Sequence, residues 1–294
     1  MDLWVAIAFI AAVSGLAFIA GWKLSLSVYR TRPLLLIECI LLLLVFAFGL
    51  ANRLFWASAI PNPAAMCWSN WLPVFLCFAA GLATHVCALR PSWRGVTALA
   101  MLSLAVAFLL QPVMRPNLYP ISIAEEADWD HNVCLQSDGA SCGPAAAATL
   151  LRHHSMLDRA KRQLGWEGRS SEAMMANLCL TSSQGTSSLG LVRGLRLAID
   201  GSRYNVSVAS DNPTTWNASG QLPNLAVVCF RGGERNDPVR RLLGTDGEAH
   251  AVMVLGRTPQ GLWKIGDPAV GWRLYTDEYF RRIFTGEAIY LAKR

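Results

Sequence analysis

The sequence predicts a two-part chain: an α-helical transmembrane region of four helices, then an α+β domain. Three observations predict it. Four apolar runs lie within residues 3–113, each near the roughly 20 residues needed to cross a bilayer. From about residue 117 the pattern changes, with helical periodicity first and strand periodicity later, which suggests α+β. The charge is also uneven. Residues 1–116 carry seven Lys/Arg and two acids, so +5 of the net +6 sits in the apolar part.

The whole chain has 294 residues, enough for two ordinary domains. It is 53% hydrophobic and only 16% charged, too apolar for a purely soluble protein. The basic excess does not form a stripe on a folded domain, so it is not a nucleic-acid footprint. It reads as topology charge. We expect domains at 1–116 and 117–294.

The four runs are Leu3–Trp22, Leu34–Ala51, Leu72–Leu89 and Gly95–Val113. The first lacks a basic leader and a clear small-residue cleavage site before a soluble domain, so it does not read as an obvious signal peptide. Trp22, Trp56, Trp68, Trp71 and Trp93 fall near run ends, as an aromatic belt does. The loop after run one holds Lys23, Arg30 and Arg32, and that after run three holds Arg90 and Arg94. The positive-inside rule then puts both loops in the cytoplasm. We expect a multi-pass protein of the plasma (inner) membrane with an extracytoplasmic C-terminal domain and membrane lipid as a partner. Glu38 and His85 interrupt the runs at similar depth and are read as a mutual pair, as groups snorkelling to the interface, or as functional groups. Cys39, Cys67, Cys77 and Cys87 are read as packing residues.

Residues 114–133 form a linker with Pro116 and Pro120 and the acids Glu125, Glu126, Asp128 and Asp130. A loop from Cys134 then runs into a helix ending near His154. Pro144 suits a first helical turn, and Ala145 to Leu151 is rich in strong helix formers. Cys142 therefore stands at a helix N-terminus, where free N–H groups favour a thiolate. Gln136 lies six residues upstream, close enough for its amide to fold back beside the sulfur. A thiolate with an amide donor nearby is half of a cysteine hydrolase site; a buried structural cysteine opening an Ala-rich helix is the plain alternative. His153 and His154 point apart on a helix and lack companions at ligand spacing, so no metal is expected there.

Ser171–Leu180 predicts a helix capped by Ser170 or Ser171, with Met174, Met175 and Leu178 on one face. Leu189–Ile199 predicts a second helix after the turn at Gln184–Ser188, burying Leu191, Leu195 and Leu197. Strands are expected at Tyr204–Ala209, Leu225–Phe230, His250–Gly256 and Leu262–Gly266, the last two joined as a hairpin through Arg257–Gly261. Leu225–Phe230 is bounded by Pro223 and Gly232-Gly233. Asp277–Phe284 suits a helix and Ala288–Ala292 a last strand.

A cysteine nucleophile needs a base, and the base needs an orienter. Of His131, His153, His154 and His250, only His250 opens an apolar strand. Asp267 follows the next strand. Directly opposed hairpin residues sit about 5 Å apart, so the pair is expected side by side, with the carboxylate on one ring nitrogen and the thiol on the other. Taken singly, each has a plain reading, a satisfied core histidine and a turn residue before Pro268.

The ordered motifs are Gln136–Ala146, Gly185–Ser188, His250–Gly256 and Asp267–Gly271. Together they resemble the bacteriocin-processing cysteine peptidases, family thirty-nine, which cleave leader peptides after a double glycine. The resemblance covers most of residues 130–294 and none of 1–115. It implies a papain-like fold, with Cys142 as nucleophile, His250 as base, Asp267 as orienter and Gln136 in the oxyanion hole. It implies a peptide or protein substrate, such as a leader peptide near small residues like Gly-Gly, and no cofactor. The best-known members are N-terminal cytoplasmic domains of ABC transporters. This chain instead carries the domain after four spans and has no G-x-x-x-x-G-K-[ST]. A separate export system is thus a further expected partner, and nucleic acid is not. In an oxidising compartment two of Cys134, Cys179 and Cys229 are candidates to pair as a disulfide. Two other functional classes stay open: an inactive peptidase-like domain that binds a peptide for export or signalling, and a thiol acyltransferase using the same groups.

Overall fold

The structure, a computed structural model, describes residues 2–27, 32–86, 90–230 and 249–294. Arg30, Cys87 and the Gly232-Gly233 boundary lie outside the described residues. The chain forms two compact units, residues 1–53 with 64–114 and residues 54–63 with 115–294.

In the first unit, four helices are long and apolar enough to cross a membrane: Asp2–Ser27, Pro33–Leu50, Ala65–Ala83 and Pro91–Leu118. They comprise α1 (Asp2–Ser27), α2 (Arg32–Val45) with a π-helical turn at Phe46–Leu50, α4 (Ala65–Trp68) with α5 (Leu72–Ala83), and α6 (Pro91–Leu118). The third differs from the expected Leu72–Leu89. It starts earlier, and α5 stops at Ala83. Thr84 Oγ1 donates to the Gly81 carbonyl at 2.7 Å, which satisfies one of the helix's last acceptors from a side chain. His85 therefore lies beyond α5, where its Nε2 accepts from Trp22 Nε1 at 3.1 Å.

Small residues let α1 and α5 approach backbone to backbone. A Cβ at Gly81 would lie 2.3 Å from the Phe18 carbonyl oxygen, and one at Gly21 equally close, 2.3 Å, to that of Phe78. Cys39, Cys67 and Cys77 are buried thiols in this unit, and Cys39 Sγ donates to the Phe75 carbonyl at 3.6 Å. Trp4, Phe9, Leu16, Ile19, Leu99 and Leu104 stay exposed.

The second unit gathers its helices first. They are α7 (Cys142–His153), α8 (Leu157–Leu164), α9 (Ser171–Cys179) and α10 (Ser188–Ala198). Ser170 Oγ caps α9 by accepting from Ala173 N, and Ser187 Oγ caps α10 by accepting from Gly190 N. Helix α10 buries Leu189, Leu191, Val192 and Leu195, while Leu197 is only half-buried. Helix α8, unforeseen in the sequence, buries little more than Leu157 and Ala160 and ends on Gly165 at φ +70°.

After a two-stranded ribbon, β1 (Trp129–Asp130) and β2 (Val133–Cys134), the remaining strands build one antiparallel sheet. They are β3 (Tyr204–Val208), β4 (Asn224–Cys229), β5 (Ala249–Arg257), β6 (Trp263–Asp267), β7 (Gly271–Tyr275) and β8 (Phe284–Lys293). Their order is β3-β8-β4-β5-β6-β7. Strand β7 was not expected. Alternate residues of β5 serve opposite faces. Val252 and Val254 join a core with Trp216, Trp263, Phe280 and Phe284, the last two borne by or next to α11 (Asp277–Ile283). Trp216 meets Trp263, Phe280 and Phe284 edge to face at 5.2–5.9 Å, contacts worth about 0.5–1.5 kcal/mol each beyond their area. Ala251 and Met253 are buried as well.

Residues 54–63, with the short helix α3 (Phe55–Ala59), cluster with this unit although they precede it in sequence. Arg196 of α10 holds them. Its guanidinium donates to the carbonyls of Ala57 at 2.5 Å, Ile60 at 2.8 Å and Asn62 at 2.9 Å.

Candidate active site

Cys142 is the first residue of α7, and Ser141 precedes it as cap without any side-chain cap bond. The helix runs back into the core, with Ala145 to Leu151 all buried. Its first-turn N–H groups therefore face outward beside the sulfur, where partial positive charge collects. Pro144 sits in that turn, where an N–H has no helical acceptor to lose.

The hairpin delivers the other two groups. The β5–β6 register pairs Met253 with Gly266 and Val254 with Ile265. One step further, Asp267 faces Val252, and His250 stands two residues along on the same face. The expected direct opposition of His250 and Asp267 is thus replaced by a diagonal pairing, still within reach of their side chains. His250 Nε2 lies 2.7 Å from Asp267 Oδ1. That carboxylate is itself fixed, because Ala269 N donates to Oδ1 at 2.9 Å. Both side chains are nearly enclosed, 12% and 6% exposed. With Nε2 engaged, Nδ1 is left for the Cys142 thiol, which hydrogen-bonds the His250 side chain. The Phe230 ring lies against the imidazole, centroids 5.4 Å apart.

The electrostatics follow from these contacts. Burial alone would push the Cys142 thiol up, yet its pKa is lowered by the hydrogen bond to His250, the N–H groups of Ala251 and Gly143, and the charge of His250. Burial would lower His250, but the hydrogen bonds to Asp267 and Cys142 push it up to about 9. Burial would raise Asp267, and the His250 hydrogen bond and Ala269 N–H hold it below the usual carboxylate range. The three charges support one another, so a thiolate–imidazolium pair is favoured. The other thiols of the unit behave oppositely. Burial pushes Cys134 and Cys179 up to about 12. Among the described residues no disulfide joins them to Cys229, contrary to the pairing considered from sequence. Cys134 lies in β2, while Cys179 ends α9 under Gly194, whose Cβ would come within 2.2 Å of its sulfur.

Gln136 lies on the loop leading to α7. Its backbone N–H donates to the Pro268 carbonyl at 2.8 Å, tying this loop to the turn that carries Asp267. Its side-chain Nε2 donates to the Asp138 carbonyl at 3.0 Å, which leaves the second amide hydrogen uncommitted to that bond. Gln136 Oε1 is buried with no hydrogen-bond partner among the described residues. The structure thus joins Cys142, His250 and Asp267 in one chain of contacts and links the Gln136 loop to it through Pro268. One buried acid escaped sequence reasoning. Glu172, fully buried at the start of α9, accepts from both the N–H and the hydroxyl of Ser137. The only sequence signal was an acid in the first turn after a serine cap, a pattern that usually stays in solvent. Among the described residues no group of three or more His, Cys, Asp or Glu is placed to hold a metal ion.

No family model matches the chain, and no curated protein does. Solved structures do. The chain is similar to the peptidase domain of Streptococcus ComA, a bi-functional ABC transporter involved in a quorum sensing pathway. Identity is 23%, with 54% of this chain and 96% of that chain covered and a TM-score of 0.39. A double glycine motif protease from an AMS/PCAT transporter, in complex with the leader peptide, is similar at 18% identity, 58% and 95% coverage and a TM-score of 0.40. The peptidase domain of Streptococcus mutans ComA is similar at 24% identity, 54% and 96% coverage and a TM-score of 0.36. This chain is similar to peptidase domains from transporters.

Proposed function

We propose that the chain is a membrane-anchored thiol endopeptidase. One observation carries the reading: a half-buried thiol, pulled down in pKa, is hydrogen-bonded to an imidazole that a fixed carboxylate holds. A purely structural cysteine gains nothing from such partners, as Cys134 and Cys179 illustrate. In this reading the Cys142 thiolate attacks a peptide carbonyl carbon. The carbonyl electron pair moves to oxygen, where the α7 N–H groups and the Gln136 amide receive it. The oxyanion then re-forms the carbonyl, and the peptide nitrogen leaves with the proton from the His250 imidazolium. Water, deprotonated by His250, releases the acyl group from sulfur. Asp267 keeps the imidazole in the required tautomer throughout.

The substrate is a peptide or protein cut beside small residues such as Gly-Gly, as the ordered motifs around Cys142 and His250 suggest. Four apolar helices anchor the enzyme in the inner membrane, and the basic loops at Lys23–Arg32 and Arg90–Arg94 favour an extracytoplasmic catalytic unit. A separate export system supplies the peptide.

The test is cleavage of a peptide library by the full chain in detergent, with cut sites read by mass spectrometry. Cys142→Ala and His250→Ala should be inactive. Equal cleavage by Cys142→Ala would refute the reading; tight peptide binding without turnover would favour the binding domain, and peptide-bond formation the acyltransferase. Protease added to intact spheroplasts should clip the C-terminal unit; clipping only in inverted vesicles would reverse the topology.

A further inference from the structure

Among the described residues two carboxylates are buried, Asp267 and Glu172. Asp267 holds the imidazole, whereas Glu172 touches no reacting group. Taking a carboxylate out of water costs several kcal/mol, and the first turn of α9 offsets only part of that. An apolar side chain there would stabilise the fold at least as well, so the contacts of Glu172 need another explanation. They all go to one residue. Ser137 N–H donates to Oε1 at 2.9 Å and Ser137 Oγ–H donates to Oε2 at 2.8 Å. Ser137 Oγ also accepts from Ala124 N at 3.0 Å, so the residue is pinned from two sides.

Ser137 directly follows Gln136. The Gln136 backbone is held on its other flank by Pro268 and its amide by the Asp138 carbonyl. That carbonyl also accepts from Ser141 N at 3.2 Å and Ser141 Oγ at 2.8 Å, immediately before Cys142. The loop is thereby fixed at every residue from 136 to 138, with Pro268 and the α9 residue Glu172 reaching it from distant parts of the chain. We propose that Glu172 is a positioning residue that, through Ser137, aims the Gln136 amide at an oxyanion formed on Cys142. This rests on the thiol-hydrolase reading above.

Two probes separate that role from general stability. With N-acetyl-glycyl-glycinal, the thiolate adds to the aldehyde carbon and the carbonyl pair moves to oxygen, which needs the amide donor until the imidazolium proton arrives. With iodoacetamide, the thiolate forms a C–S bond while the C–I bond breaks and iodide leaves, and no oxyanion arises. In the full chain, Glu172→Gln should weaken aldehyde binding ~10-fold, a part of what losing an oxyanion donor costs. Its iodoacetamide rate should stay within about twofold. Ser137→Ala, which keeps the buried acid and the Ser137 N–H contact, should show the same split to a smaller degree and serves if Glu172→Gln fails to fold. Unchanged aldehyde binding in both folded variants overturns the proposal. So does a parallel loss with both probes, which marks a general structural role. A wild-type protein that reacts with iodoacetamide but never with the aldehyde overturns the hydrolase reading itself.

Discussion

Replacing Asp267 by Asn tests whether the carboxylate charge sets the reactivity of Cys142. In the structure its Oδ1 lies 2.7 Å from His250 Nε2 and also accepts from Ala269 N. That second bond keeps an oxygen, not the amide nitrogen, facing the ring in the variant. Geometry is thus retained while the charge is removed. Hydrogen bonds to charged groups are worth about 1.5–3 kcal/mol and neutral ones about 0.5–1.5. The difference of roughly 1.2 kcal/mol is about one pKa unit. His250, pushed up to about 9 in the wild type, should fall by about that much. Its raised pKa stabilises the fold fully below its ordinary value near 6.5, an effect lost as pH rises through about 9. The two groups titrate as a pair, so the thiolate loses its imidazolium partner about one pH unit earlier in the variant. Alkylation by iodoacetamide, followed by mass spectrometry from acid to pH about 10, reads this directly. In the acidic limb both imidazoles are protonated and the two profiles should nearly coincide, while the upper step, where the thiolate is freed from its imidazolium, should fall by about one pH unit in the variant. An upper step at the same pH in both proteins would refute the reasoning.

The remaining expectations concern the fold around the site. Native protein exposed to iodoacetamide should label Cys142 and spare Cys134 and Cys179, whose burial pushes them to about 12; labelling of all three only after denaturation is the check. Gly81→Leu should destabilise the first unit by about 3 kcal/mol, because its Cβ would meet the Phe18 carbonyl oxygen at 2.3 Å; detergent-resistant folding measured by thermal melting reports it. Arg196→Ala should lower the second unit's stability by about 2 kcal/mol through loss of its bonds to Ala57, Ile60 and Asn62. Proteolysis near residues 54–63 should accelerate in that variant, and unchanged digestion would count against the clasp.

The parts of this molecule that were legible in the sequence are those with a local physical cause. Pro144 and the alanines after it mark the start of α7, so the placing of Cys142 needs no tertiary information. The serines before α9 and α10 act through hydrogen bonds three residues away. The continuous apolar runs of β4 and β5 mark buried strands by themselves. What escaped depends on distant partners. The bulge between Val254 and Gly256 resets the hairpin register, so no count of residues could place Asp267 diagonally from His250. Strand β7 carries exposed Trp272, Arg273 and Leu274 in sequence, which hides any alternation. Helix α8 is mostly polar, LDRAKRQL, and its few apolar contacts are a tertiary matter. Glu172 gives no hint of burial, because its partner Ser137 lies 35 positions away.

The membership of residues 54–63 in the second unit has a consequence for biosynthesis. That unit is assembled from two stretches separated by residues 64–114, which hold two of the four helices able to cross a bilayer. In a membrane an even number of crossings returns the chain to the side it left, so both stretches arrive in one compartment whichever way the protein is inserted. The first stretch is made before any of the sheet exists. It stays unclasped until Arg196 has been synthesised, so this unit closes only after residues 64–114 have been made.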